Sequence, residues 1–173
     1  MRIIGIDPGT GILGFGVIDA ARGRTRLVTA GVVRTPAHTP LAERLEEIYD
    51  SLTEIIAETK PQQMAIEKLF FTKNITTAIS VAEARGVAML TGQQAGLAIA
   101  EYTPNEIKKS IAGYGAAKKP QMQEMVRLQL GLAEAPKPDD CADALAAALT
   151  HAFMQREQDR KSTRLNSSHV KLS

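Results

Sequence analysis

The apolar pattern changes period once, near residue 39, and that switch restricts the fold more than any other feature of the chain. Before it, three short apolar segments follow one another through tight turns. Arg2 to Asp7 carries Ile3, Ile4 and Ile6 and ends in Asp7-Pro8-Gly9-Thr10-Gly11, a run dense in turn residues. Leu13 to Asp19 sets Phe15 and Val17 against Gly14, Gly16 and Ile18, and Arg26 to Arg34 carries Leu27, Val28, Val32 and Val33. Three strands so joined form an antiparallel meander. Beyond residue 39, helices and strands alternate. Thr39-Pro40 predicts an N-cap followed by Pro at the first helical position. Leu41, Leu45, Ile48, Leu52, Ile55 and Ile56 then recur at helical spacing up to Pro61. Met64 to Glu67 reads as a short strand, Thr76 to Ala95 as a long helix and Ala98 to Tyr102 as a fifth strand. Helices from Pro104 to Ala112, Pro120 to Leu130 and Asp139 to Gln155 complete the pattern. The order, which opens βββαβαβα and continues with two more helices, predicts an α/β fold with a five-stranded mixed sheet, three strands antiparallel plus two parallel, and helices on both faces. The first strand lies between the meander and the parallel pair.

A chain of 173 residues suits one domain. Its 44% hydrophobic and 23% charged residues argue against disorder. Cys141 is the single cysteine, which excludes an internal disulfide and points to a reducing, cytoplasmic setting. No apolar run approaches the roughly 18 residues of a membrane span, and the N-terminus has no signal-peptide pattern. The domain is expected over residues 1–156, with residues 157–173 a disordered tail. The string from Asp159 to His169 looks like a translated sequencing adapter and is expected to lie outside the fold. That tail holds Arg160, Lys161, Arg164 and Lys171 against one acid, Asp159, so the formal charge of +2 belongs to it. Without the tail the charges nearly balance, and any nucleic-acid argument rests on local patches.

Four acids stand out by position. Asp7 closes the first strand and Glu67 the fourth. Asp140 and Asp143 open the last helix three residues apart, on one face. Parallel neighbouring strands bring Asp7 and Glu67 to the same edge, and a helix crossing that edge can add the other two. Such carboxylates repel one another unless divalent cations neutralise them. Mg²⁺ favours carboxylate oxygens, and two ions about 4 Å apart can activate a water and stabilise the leaving oxygen of a phosphodiester. Each acid alone has an ordinary alternative: a turn residue at Asp7, a solvated strand end at Glu67, first-turn acids complementing the dipole at Asp139, Asp140 and Asp143. The set is more informative than its members.

The basic signal is local. Lys108, Lys109, Lys118 and Lys119 flank a loop with Gly113 and Gly115, and no acid lies between Lys108 and Lys119. Such a loop can follow a phosphate backbone closely. Phe70 and Phe71 follow Glu67 in a polar stretch, where one can stack on an unpaired base and the other pack inward.

Ile4-Gly5-Ile6-Asp7-Pro8-Gly9, Ala65-Ile66-Glu67, Ala84-Arg85-Gly86-Val87 and Asp140-Cys141-Ala142-Asp143-Ala144-Leu145-Ala146 together resemble the RuvC family of Holliday-junction resolvases. The resemblance runs in order from Met1 to about His151. It implies a ribonuclease-H-like fold and a pair of symmetric nicks across a four-way DNA junction. It also implies a homodimer using two Mg²⁺ ions per subunit, with Mn²⁺ able to substitute, and working with the RuvA–RuvB branch-migration complex. Asp7, Glu67, Asp140 and Asp143 match the family's metal-binding acids. Phe70 matches its base-stacking aromatic, and Lys108 and Lys119 match its phosphate-contacting lysines. Asp139 precedes Asp140 as an extra acid, so the register of the last pair is tested at that position.

Two other functions are compatible with parts of the chain. An actin-like or sugar-kinase-like ATPase opens with a similar Ile-Gly-Ile-Asp turn but needs two copies of the domain. A non-catalytic junction-binding protein would be expected to lack some of the four acids.

Overall fold

In the computed structural model, residues 1–69 and 74–170 are described. The elements are β1 (Arg2–Asp7), β2 (Ile12–Ala21), β3 (Arg24–Arg34), α1 (Leu41–Thr59), β4 (Gln63–Glu67), α2 (Ile75–Gln94), β5 (Ala98–Tyr102), α3 (Pro104–Ala112), α4 (Lys119–Leu130) and α5 (Asp139–Val170). They build one five-stranded sheet in the order β3-β2-β1-β4-β5. β1 pairs antiparallel with β2, and β2 with β3, whereas β1–β4 and β4–β5 are parallel. The mixed sheet and its central first strand are as the sequence predicts.

Strand alternation separates two cores. Ile3, Ala65 and Ile18 face one side and pack under α3, α4 and α5, against Ile107, Val126, Leu145 and Leu149. Ile4, Ile6, Met64 and Ile66 face the other and pack against Ile48 and Leu52 of α1 and Ala84 and Ala88 of α2. Successive strand residues point to opposite faces, so Asp7 shares the α5 side with Ile3, and Glu67 shares it with Ala65. α5 lies directly on the sheet because glycines remove the side chains beneath it. A Cβ on Gly5 would sit 1.9 Å from the Ala144 carbonyl oxygen, and one on Gly14 would sit 2.2 Å from that of Asp140. The first half of α5 is rich in alanine and buried from Cys141 to Ala152, apart from a partly exposed Asp143.

Three local expectations are corrected. Thr39 does not cap α1: its hydroxyl donates to the Pro36 carbonyl at 2.7 Å, and Pro40 takes the cap position with no side-chain bond. α4 begins at Lys119, not Pro120. α5 continues past Gln155 to Val170, although every side chain from Glu157 to Ser168 is exposed. Adding residues to a helix nucleated by a buried segment costs little per residue, so this extension needs no apolar periodicity of its own.

Candidate active site

The parallel register fixes the first pair of acids. Ile6 pairs with Ile66, so Asp7 and Glu67 stand one step beyond, side by side at the C-terminal edge of the sheet. α5 crosses that edge with its first turn, bringing Asp140 and Asp143 to them. Burial is the largest influence on the Asp7 carboxyl; the charges of Asp143, Glu67 and Asp140 add to it, as does hydrogen bonding to Asp140, and together they push its pKa up to about 8. Burial also raises Glu67, followed by the Asp143 charge, with Lys108 pulling the other way. Asp143 is raised by burial and by Asp140, while Lys119 opposes the shift. The four carboxylates therefore share one electrostatic site.

Asp139 sits at the rim of this group: its charge helps raise Asp143 but does not reach Asp7. Its carboxylate, 57% exposed, lies 3.5 Å from the Lys119 ammonium. Lys119 also lies 3.6 Å from Asp143, bridging the two acids. Lys108, Lys118 and Lys119 line a cleft of about 470 Å³ together with Glu67 and Asp143, and a second cleft of about 240 Å³ opens on the other side of Asp7 and Glu67. Lys109 instead lines a separate groove with Glu106 and Phe153. The acid-free window in the sequence thus contains three lysines that reach the cleft and one that does not. Lys118, named in the sequence as one of the four flanking lysines but not as a phosphate contact, reaches the cleft too, because consecutive lysines give no hint which one faces inward. Phe70 lies outside the described residues.

Among the described residues, no three His, Cys, Asp or Glu side chains form a ready-made metal cage. The acids ring an open edge, and their mutual repulsion is what a bound divalent cation would relieve. The donor set is all carboxylate, the hard-oxygen chemistry that suits Mg²⁺ or Mn²⁺. The Thr10 hydroxyl, which a nucleotide-binding turn would direct at phosphates, is held instead by the Ser80 carbonyl at 2.7 Å and the Ser80 hydroxyl at 2.6 Å.

Residues 3–151 match the family model for crossover junction endodeoxyribonuclease RuvC. The chain belongs to the RuvC family. The RuvC crossover junction endodeoxyribonuclease of Chloroflexus aggregans is 53% identical over 153 residues, covering 88% of this chain and 93% of that relative. The Desulfitobacterium hafniense RuvC is 53% identical over 152 residues, covering 88% and 92%. A solved structure of Thermus thermophilus RuvC in complex with a Holliday junction substrate superposes with a TM-score of 0.87 at 38% identity, covering 91% of this chain and 96% of that one. The yeast mitochondrial Holliday junction resolvase Ydc2, at 11% identity and a TM-score of 0.68, shares the fold. RuvC membership does not favour the ATPase or the non-catalytic reading. Among the described residues, no helix is long and apolar enough to cross a membrane.

Proposed function

We propose that this RuvC chain nicks four-way DNA junctions with Asp7, Glu67, Asp140 and Asp143 as its metal-holding acids. The observation that carries the reading is the convergence of these carboxylates beside a lysine-lined cleft, with Asp7 driven up to about 8 by burial and its neighbours' charges. When bound, two Mg²⁺ ions per subunit, or Mn²⁺ in their place, would supply an activated water and charge stabilisation for the leaving oxygen. Asp7 and Glu67, fixed at strand ends, set the rigid half of the site; Asp140 and Asp143, one helical turn apart, set the other. Lys108 and Lys119 hold the phosphate backbone, and Lys119, already bridging Asp139 and Asp143, can exchange a carboxylate for a phosphate as DNA enters. Phe70 is assigned to base stacking on the family resemblance alone.

Paired symmetric nicks require two active sites, and α2 supports a homodimer. Ile75, Ile79 and Leu90 are exposed large apolar residues on that helix. At 100° per residue they fall on one stripe with Gly86, where an added Cβ would meet nothing within 4 Å. A mid-helix glycine costs about 1 kcal/mol against alanine, and nothing within the described chain requires it. It fits the close approach of a second copy. Cooperation with the RuvA–RuvB complex is part of the same proposal and rests on family membership.

A nicking assay on a synthetic four-way junction tests the reading. Asp7→Asn, Glu67→Gln, Asp140→Asn and Asp143→Asn should each abolish Mg²⁺-dependent nicking while junction binding persists. Asp139→Asn should keep substantial activity. Activity in all four acid variants would overturn the metal-holding assignment, and a dead Asp139→Asn beside an active Asp140→Asn would move it by one residue. Lys108→Ala with Lys119→Ala should lower the slope of log K against log salt by about 1 per lost phosphate contact.

A further inference from the structure

The carbonyl of Glu67 is left without a ladder partner at the end of β4. On the β1 side, the register that pairs Ile6 with Ile66 sets Asp7 beside Glu67, and the next residue is Pro8, which has no N–H. On the β5 side, the ladder bonds run through the neighbours of Glu67, with the Lys68 N–H donating to the Tyr102 carbonyl, so the Glu67 carbonyl is turned toward β1. A carbonyl at a half-buried strand end needs a donor. Arg85 of α2 supplies it: its Nε donates to the Glu67 carbonyl oxygen at 3.0 Å, while its Nη2 pairs with the Glu101 carboxylate on β5. The Arg85 side chain is only 16% exposed, so this guanidinium is committed to the protein and not offered to solvent.

We infer that Arg85 is a positioning residue for Glu67, closing the end of β4 so that the Glu67 carboxylate keeps its place beside Asp7. The inference rests on the assignment of Glu67 to the acid site above. Arginine suits the task because its planar fork can serve a carbonyl and a carboxylate at once, pinning β4, β5 and α2 together. Lysine has one ammonium for two acceptors on different strands. Arg85 approaches from the α2 face of the sheet, opposite the acids on the α5 face. It therefore touches neither DNA nor metal and acts only through the backbone of Glu67. Asp7 is backed from the same helix: Thr10, three residues beyond it, is tied to Ser80.

The test compares Arg85→Met, Arg85→Lys and Glu101→Gln with the unaltered protein. Nicking is titrated against Mg²⁺, junction binding is measured separately, and amide hydrogen exchange is followed at Lys68, whose N–H donates to the Tyr102 carbonyl at 2.7 Å. Arg85→Met is expected to raise the Mg²⁺ concentration for half-maximal nicking at least fivefold. Junction binding should stay within twofold and Lys68 exchange should quicken at least tenfold. Arg85→Lys should fall between, and Glu101→Gln, which leaves the carbonyl bond in place, should remain within twofold of the unaltered protein. An unchanged Mg²⁺ midpoint in Arg85→Met, or a loss confined to junction binding, would overturn the inference. So would unchanged Lys68 exchange. The exchange measurement needs no nuclease activity, so it still decides the clamp should the unaltered protein fail to nick, a result that would sink the functional reading instead.

Discussion

Asp7 is held at an energetic disadvantage, which the metal-holding role proposed for it would offset. Its pKa rises from 3.8 to about 8 on folding, so the unfolded chain holds fewer protons between those values. The stability linked to this group is present at low pH and is lost as pH rises through about 8. Glu67 and Asp143 are shifted in the same direction. In EDTA, Asp7→Asn should therefore stabilise the fold at pH 9 by more than about 1 kcal/mol, with little effect near pH 3, below both values, where the carboxyl is largely neutral in both states. Thermal unfolding of the two proteins across pH checks this; parallel curves would mean that the carboxylates are not crowded in solution. Added Mg²⁺ should recover the lost stability in the unaltered protein and not in the variant.

Among the elements, α5 does the most to shape the site, and its seat depends on glycines beneath it. Gly14→Ala would drive a methyl against the Asp140 backbone, which cannot yield as a flexible side chain could. Either the helix start moves or the strand does, so nicking should fall at least a hundredfold while the sheet still forms, with a stability loss of roughly 2–4 kcal/mol. A variant with full activity would show that the helix start tolerates displacement. Farther along, α5 is tied to the parallel strands by a buried polar chain. The Tyr102 hydroxyl donates to His151 Nδ1 at 2.6 Å, and His151 Nε2–H donates to the Gln63 side-chain oxygen. Burial lowers the His151 pKa from 6.5. The unfolded chain then takes up the proton more readily, so stability should decline as pH falls below about 6.5. His151→Gln should remove that part of the acid sensitivity, read as a flatter dependence of unfolding temperature on pH between 6.5 and 5.

Across the whole molecule, one sheet faces two tasks. The α5 side carries acids and lysines, and the α2 side carries the exposed apolar stripe proposed for a second copy. Gly86→Leu should fill the gap on that stripe and shift the protein from dimer to monomer in sedimentation, while its unfolding temperature at high dilution rises by a few degrees as the helix loses its glycine. A dimer that survives would place the contact elsewhere. The exposed end of α5 should be dispensable: removing residues 160–173 is expected to alter stability by less than about 1 kcal/mol and to leave nicking intact. A larger loss would show that the tail belongs to the fold.

Much of this protein is legible in its residues alone, because the relevant signals are local. Alternation in β1 and β2, the period change after residue 39, and acids at strand ends and at a helix start all act within a few positions of themselves. From them follow the sheet order and the convergence of Asp7, Glu67, Asp140 and Asp143. What the linear pattern could not supply depends on which atoms face one another across the sheet. Asp139 and Asp140 are chemically identical, and only the seating of α5 over Gly14 turns one toward Asp7 and the other toward Lys119. Consecutive lysines differ only in how α3 and α4 aim them, which puts Lys118 into the cleft and Lys109 outside it. Thr39 and Pro40 match a capping pattern, yet the turn before them claims the hydroxyl. Arg85 shows the limit most clearly. Its need arises from Pro8, just beyond β1, which is far from Glu67 and Arg85 in sequence and adjacent only once the sheet has formed.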